Sequence, residues 1–388
     1  MTPPDASSAG SVLFLSPEAP VAGTGGGGLR SASVLEYLRR RYAVQIASFT
    51  LPEHSKSLLA RAWRNGWRLI RGRPPLLDRY SGFEAQLAPV LQGRHYRVAV
   101  IEHFWCAPYA PCLRPHCELL VLDLHNVESE LARSHAQATR GLQSAAFSRF
   151  ASAYRRLERE WLPHFDLILV ASEGDRRRIQ HRNVHVYPNA LPENVLPENA
   201  LPEHALPEIA RPCVPEAACI VFSGNLEYHP NVEAVRWFHA QVWPGVRQRL
   251  PEVEWRLVGR NAAAVAGLVS GSERVKIVGP VDDAIQTLAG ASVCIVPLRS
   301  GSGTRFKILE AWAAERAVVS TSIGAEGLDG KPGEHLLIAD DPRSFADAIV
   351  RLMENPDLRR RLGESGRALY LDRYTWSSAW RALEAAGL

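Results

Sequence analysis

A chain of 388 residues is too long for one ordinary hydrophobic core and suits two α/β domains of roughly 150 to 190 residues each. Hydrophobic residues at 46% and charged residues at 22% are those of an ordinary soluble globular protein, which excludes a disordered or fibrous chain. Lys plus Arg number 45 against 41 Asp plus Glu, and a net charge of +4 is too mild for a dedicated nucleic-acid binder.

The opening residues Pro3, Pro4 and Asp5 precede the first apolar strand without a basic region, so no secretory signal is expected. Residues 11–16 read as a buried strand, 23–28 as a glycine loop and 29–41 as a helix, a nucleotide-type opening. Residues 56–73 form a helical pattern with Leu59, Trp63, Trp67 and Ile70 on one stripe and Arg61, Arg64, Arg68 and Arg71 on another. Such a helix either lies on an anionic membrane surface or packs its tryptophans on the domain core. Further apolar strands at 44–49, 97–102, 119–124 and 167–171 alternate with helical stretches, which predicts a parallel sheet covered on both faces. These runs are strand-sized, far short of the ~20 residues of a membrane span. A cytoplasmic location follows, with the membrane's inner face as its variant if the basic helix docks there.

Six cysteines at 106, 112, 117, 213, 219 and 294 include no Cys-x-x-Cys pair and read as free thiols. His103, Cys106, Cys112, His116 and Cys117 crowd together in sequence, but their spacings fit no structural zinc pattern. His125 follows a strand end at Asp123, where it either contacts a ligand or satisfies local backbone groups. Residues 190–209 repeat Ala/Val-Leu-Pro-Glu four times; proline at that density blocks helix and central strand, which predicts a semi-extended linker. Beyond it, strands are expected at 219–223, 253–258, 274–278, 293–297 and 318–321, a helix from 231, and terminal helices at 342–353, 356–370 and 376–386.

The segment 297–311, PLRSGSGTRFKILEA, places a glycine-containing loop between a buried strand and a helix. Open α/β sheets bind ligands at such carboxyl edges. Gly301 and Gly303 allow close backbone approach, Ser302 and Thr304 complete the loop, and the positive end of the helix dipole favours an anion such as a diphosphate. Arg305 and Lys307 add charge. Glu310 shares a helix face with Lys307, and a carboxylate beside phosphate suits ribose hydroxyls, although an ordinary solvated Lys–Glu pair has the same spacing.

This stretch resembles the Glu-x7-Glu region of family-4 retaining glycosyltransferases of the GT-B fold. The resemblance extends to the 23–28 glycine loop, LDLHNVES around His125, VYPNALP, FSGNLEYHPN at 222–231, LVGR at 257, GPVDD at 279 and STSIGAEGL at 320. Two departures stand out: Ser302 occupies the position of the first family glutamate, and Asn225 and Pro230 stand where the family often has an Arg and a Lys. Arg305 and Lys307 are then the candidates to supply the missing charge.

What the resemblance implies is an α/β GT-B architecture of two Rossmann-like, doubly wound domains with an interdomain cleft. Residues 1–189 would bind acceptor, 190–216 link, and 217–372 bind the nucleotide-sugar donor, while 373–388 form a helix packing back on the first domain. It implies a metal-independent retaining hexosyltransferase that passes a sugar from a nucleoside-diphosphate sugar to a glycan or lipid-linked acceptor, in cell-envelope or exopolysaccharide assembly. The diphosphate leaving group would itself take the acceptor's proton. His125, Glu310, Arg305 and Lys307 are then the catalytic residues. Donor contacts come from Gly25, Gly26, Gly27, Gly28, Gly224, Asn225, Gly259, Arg260, Val281, Gly301, Ser302, Gly303 and Thr304. No cofactor beyond the substrate, no essential metal and no nucleic-acid partner is expected. Two rivals share the fold: a nucleotide-sugar 2-epimerase, and a noncatalytic nucleotide-sugar-binding protein suggested by Ser302.

Overall fold

The computed structural model describes residues 10–19, 26–52, 57–193, 218–281, 283–301 and 305–388. The chain divides into two compact units, residues 1–189 with 379–388, and residues 190–378.

The first unit holds six parallel strands, β1 (Ser11–Ser16), β2 (Ala43–Ser48), β3 (Tyr96–Glu102), β4 (Cys117–Asp123), β5 (Leu167–Val170) and β6 (Val184–Val186), in the order β2-β1-β3-β4-β5-β6. Val12 to Leu15 and Val98 to Ile101 are almost wholly buried, as an unbroken apolar strand must be when helices cover both of its faces. The strand order reverses between β1 and β3, and ligands of open α/β sheets bind at the carboxyl ends of the strands at such a reversal. The helix Gly26–Arg39 starts at the end of the loop that follows β1, so its first turn lies at that edge. It begins within the glycine run rather than after it. The chain's end docks on this helix: Trp380 Nε1 donates to Ser33 O at 3.2 Å and Tyr37 Oη to Leu388 O at 2.5 Å.

The helix Leu58–Arg71 presents its apolar stripe to solvent, with Leu59 83%, Trp63 68% and Ile70 68% exposed. Packing of this face on the core of its unit is thereby excluded. Arg149 from the helix Gly141–Trp161 donates to Leu69 O and Ile70 O, tying down its carboxyl end.

The second unit repeats the plan with β7 (Cys219–Ser223), β8 (Glu254–Val258), β9 (Val275–Val278), β10 (Val293–Val296), β11 (Ala317–Ser320) and β12 (Leu337–Ile338), all parallel, in the order β9-β8-β7-β10-β11-β12. This is the dinucleotide-fold order, with its reversal between β7 and β10. Trp255 on β8 packs on Phe238, ring centroids 4.6 Å apart, and on Trp243 at 5.7 Å. The helix from His229 widens into a π turn over Phe238–Val242 before resuming at Trp243–Arg249. Pro244, which has no N–H for the helical ladder, sits at that resumption.

The first of the Leu-Pro-Glu repeats is anchored. Leu191 N donates to Tyr374 O at 2.9 Å, Trp376 N to Leu191 O at 3.0 Å, and Ser377 N to Glu193 at 2.6 Å. The remaining copies lie outside the described residues. So do Cys213, residues 23–25 of the first glycine loop and residues 302–304 of the second.

Candidate active site

In the second unit the carboxyl ends of β7 and β8 come together at two glycines. Gly224 has φ 144° and Gly259 φ 145°, and a Cβ on Gly259 would lie 1.8 Å from Gly224 O, so no other residue fits there. Gly224 N donates to Val258 O at 2.9 Å and Leu226 N to Arg260 O at 2.9 Å, which locks the two strand ends into one surface.

Lys307 enters this surface from the helix Phe306–Ala313, which follows β10 on the other side of the reversal. Its Nζ donates to Ser223 O at 3.0 Å and to Asn231 Oδ1 at 3.1 Å and lies 4.8 Å from the Phe222 ring centroid. A Cβ on Gly224 would fall 2.9 Å from the same ammonium. Burial holds the Lys307 ammonium below the usual lysine range, while Glu310 partly restores it. Burial likewise pushes the Glu310 carboxyl above the usual carboxylate range, with Lys307 opposing the shift. A cation and a carboxyl whose charges are both disfavoured by desolvation are poised for a polar ligand.

Arg305 is buried, with Nη2 donating to Gly301 O at 3.0 Å and Nε to Ile323 O at 3.1 Å, and desolvation lowers its pKa. It thus braces the loop on which Gly301, at φ 112°, lies against Pro230. Asn225 Oδ1 accepts from Glu227 N at 3.2 Å and Asn261 Nδ2 at 3.0 Å. Gly224, Asn225, Gly259, Gly301, Arg305, Lys307 and Glu310 therefore belong to the elements around the reversal. Arg260 is exposed beside them, and Val281 follows β9 at the sheet edge, two strands from β7. Gly25, Ser302, Gly303 and Thr304 lie outside the described residues. Asn231, which receives Lys307, was missed by the sequence reading; its place within the FSGNLEYHPN segment was the available signal.

The first unit builds a second polar cluster at its own reversal. β3 and β4 run in register so that Glu102 pairs with Asp123, and His103 and His125 follow closely. His125 Nε2 bonds Glu102 Oε2 at 2.8 Å and lies 3.6 Å from Asp123 Oδ2. Ser31 Oγ also donates to Glu102 Oε2. Asp123 is neutralised by the wholly buried Arg30, Nε at 2.9 Å, whose Nη1 reaches Tyr187 O at 2.6 Å and Asn189 Oδ1 at 2.9 Å. Burial lowers the His125 pKa to about 4 and lowers that of His103, and burial followed by the neighbouring Asp123 raises that of Glu102. The His103 ring stacks on Trp105, 4.2 Å away and 7° from parallel, and its centroid lies 3.7 Å from that of His125 at a tilt of 37°. Gly27, at the start of the Gly26–Arg39 helix, covers His125: a Cβ there would lie 3.5 Å from Nδ1.

The sequence reading selected His125 and the glycine run including Gly26, Gly27 and Gly28, but missed Glu102, Arg30 and Ser31. A charged residue closing the apolar run VAVIE was the signal for Glu102. The His103/Cys106/Cys112/His116/Cys117 crowd does not assemble as a ligand set among the described residues. The potential metal-ligating group is instead Glu102, His103 and His125, with donor atoms within 4.8 Å of one another.

The sequence family described as Glycosyl transferases group 1 matches residues 217–355. Those residues form a group 1 glycosyltransferase domain. A relative in Mycobacterium leprae, a phosphatidyl-myo-inositol mannosyltransferase, is 34% identical over 143 residues, or 34% of this chain and 37% of that protein. An uncharacterised 44.6 kDa protein from the cps region of Klebsiella pneumoniae is 30% identical over 144 residues, 35% of this chain and 37% of that one. The match therefore spans a little over a third of either relative. The Anabaena protein HepE, solved in complex with UDP-glucose, superposes with a TM-score of 0.64 at 14% identity over 97% of this chain and 99% of its own. That similarity extends beyond the group 1 domain and shows the described chain to have the GT-B fold, with which its two six-stranded parallel sheets agree.

Proposed function

We propose that the protein is a retaining glycosyltransferase that takes a sugar from a nucleoside-diphosphate sugar and passes it to a glycan or lipid-linked acceptor in cell-envelope or exopolysaccharide assembly. The observation that carries this reading is the Lys307 ammonium, set among Ser223 O, Asn231 and Gly224 at the reversal of the second sheet. A departing diphosphate placed there gains charge stabilisation where its negative charge develops, the largest single contribution in such reactions. Arg305 braces the loop beside it, and Glu310, on the same helix as Lys307, would receive ribose hydroxyls. With the leaving-group charge met by Lys307, transfer needs no Asp-x-Asp metal site. Complexes of the HepE relative with UDP-glucose support a nucleotide-sugar donor, and the mannosyltransferase and cps-region relatives support a glycolipid or polysaccharide product.

The exposed Leu59, Trp63, Trp67 and Ile70 stripe, with arginines along the same helix, supports docking on an anionic membrane, where a lipid-linked acceptor would be found. Among the described residues no helix is long and apolar enough to cross a membrane, so the contact would be peripheral.

Incubation with labelled UDP- and GDP-sugars and a bacterial glycolipid extract tests the reading. Label should enter the glycolipid with the donor's anomeric configuration retained, and Lys307→Met should abolish this. Conversion of a nucleotide sugar without acceptor would point to the epimerase, and binding without any turnover to a noncatalytic protein.

A further inference from the structure

Seven buried side-chain nitrogen or oxygen atoms have no hydrogen-bond partner among the described residues, and three of them belong to one cluster: Glu102 Oε1, His103 Nδ1 and His125 Nδ1. Buried polar groups are rarely left so unless something binds them. One donor atom from each of these three residues lies within 4.8 Å of the other two. We propose that Glu102, His103 and His125 bind one divalent transition-metal ion of the zinc type. The inference goes beyond the glycosyltransferase reading and does not rest on it, because in that reading the transfer step is served by Lys307 in the other unit.

The fold brings the three side chains to one place. The register of β3 on β4 sets Glu102 opposite Asp123, and the two histidines follow these strand ends. Both imidazoles turn an edge toward the first turn of the Gly26–Arg39 helix: a Cβ on Gly27 would lie 3.5 Å from His125 Nδ1 and 4.0 Å from Cε1 of either ring. The ring centroids are 3.7 Å apart and the planes tilted by 37°, so the planes meet and a single ion can lie near both. Two ligands each about 2.1 Å from one ion stand no more than roughly 4.2 Å apart. The widest pair of donors, at up to 4.8 Å, therefore has to close by only a fraction of an ångström, which side-chain rotation supplies. His103 is held at φ 66°, a left-handed conformation that residues with a side chain seldom adopt, and its ring stacks on Trp105, which Glu128 anchors through Nε1 at 3.0 Å. Strain of this kind persists only where the surroundings fix it, and it clusters at ligand sites.

Two imidazoles and one carboxylate are the donor set of zinc and its first-row neighbours, whereas magnesium and calcium take oxygen ligands. Burial keeps both histidines neutral, the state in which imidazole ligates. Burial, followed by the neighbouring Asp123, holds the Glu102 carboxyl above the usual carboxylate range, so it gives up a proton when the ion arrives; a dication at ligand distance inverts the local preference and expels it. Glu102 and Asp123, the latter 3.6 Å from His125 Nε2, face the ion with negative charge, while Arg30 on Asp123 and the positive end of the Gly26–Arg39 helix oppose it. The helix end counts for little beside direct ligation. His103 is only partly buried and gives the ion its way in.

The test uses the full chain without a histidine tag, stripped of metal by a chelator and titrated with zinc in a calorimeter. One equivalent should bind and stay with the protein through gel filtration. Glu102→Gln, which keeps the shape of the side chain, and His103→Asn, which suits a left-handed backbone, should each weaken zinc binding at least about ten-fold while circular dichroism shows both folded. Cobalt(II) in place of zinc should give a visible absorption band that both substitutions remove. No zinc bound by the parent, or one equivalent bound equally by the parent and both variants, overturns the site. Tighter binding of magnesium than of zinc overturns the two imidazole ligands. UDP and GDP binding by the metal-free chain is measured separately and decides the donor site alone, so failure of either reading leaves the other standing.

Discussion

Glu128 offers a quantitative test of how the first unit is held together. It is 4% exposed, accepts a hydrogen bond from Trp105 Nε1 at 3.0 Å, and sits near Glu158, which is bound by Ser129 through N at 2.9 Å and Oγ at 2.6 Å. Burial is the main cause that pushes the Glu128 carboxyl up to about 8, with Glu158 adding to it. A carboxyl whose pKa is higher in the folded than in the unfolded chain binds its proton more tightly when folded. Its contribution is complete below the unfolded value and is lost as pH rises toward the folded one. Between pH 5 and pH 8 the folded state should therefore lose about 3.5 kcal/mol through this one residue, at 1.36 kcal/mol per pH unit of differential protonation. Glu128→Gln keeps the acceptor for Trp105 and cannot ionise. Urea denaturation followed by the signal of the first unit at both pH values should show the parent weakening by about that much more than the variant. Parallel pH dependence in the two proteins would mean that Glu128 is ionised in the folded state, and the reasoning would fail.

Gly259→Ala should unfold or severely loosen the second unit, by roughly 3 kcal/mol or more, since its Cβ has no room beside Gly224 O; a calorimetric transition unchanged from the parent would contradict this. Arg30→Met leaves Asp123 buried without its cation and should cost about 3–5 kcal/mol in chemical denaturation of the first unit. Replacing Trp63 and Trp67 by Ser should abolish co-sedimentation with anionic vesicles yet change stability by no more than about 0.5 kcal/mol, because both rings already meet solvent. Affinity for UDP or GDP, measured by calorimetry, should weaken as pH rises from 7 to 9.5, earlier than an ordinary lysine would allow, because Lys307 is held below the usual range and binds phosphate only while protonated.

The strands of both sheets were legible because parallel strands buried on both faces appear as unbroken apolar runs, and VLFL, VAVI and LILV have no other use. β6 and β12 were not, being three and two residues long and only half-buried. The exposed tryptophan stripe was visible as a stripe, but its direction is set by what the neighbouring helices leave uncovered. Lys307 was selected from its loop, whereas its meeting with Ser223 and Asn231 depends on β10 lying beside β7, a pairing across 73 residues that no local pattern encodes. Glu102 escaped for the same reason: its partnership with His125 arises from the register that sets Glu102 opposite Asp123.

The most direct measurement is thermal stabilisation of the full chain by a panel of nucleoside diphosphates and their sugars, repeated with Glu310→Ala and Lys307→Met. A ligand that binds only the folded protein raises the midpoint in proportion to its affinity. One nucleotide should give a clear upward shift that both substitutions remove, naming the donor base and placing it at the second sheet's reversal. No shift with any nucleotide, or a shift that survives both substitutions, would contradict the donor site described here.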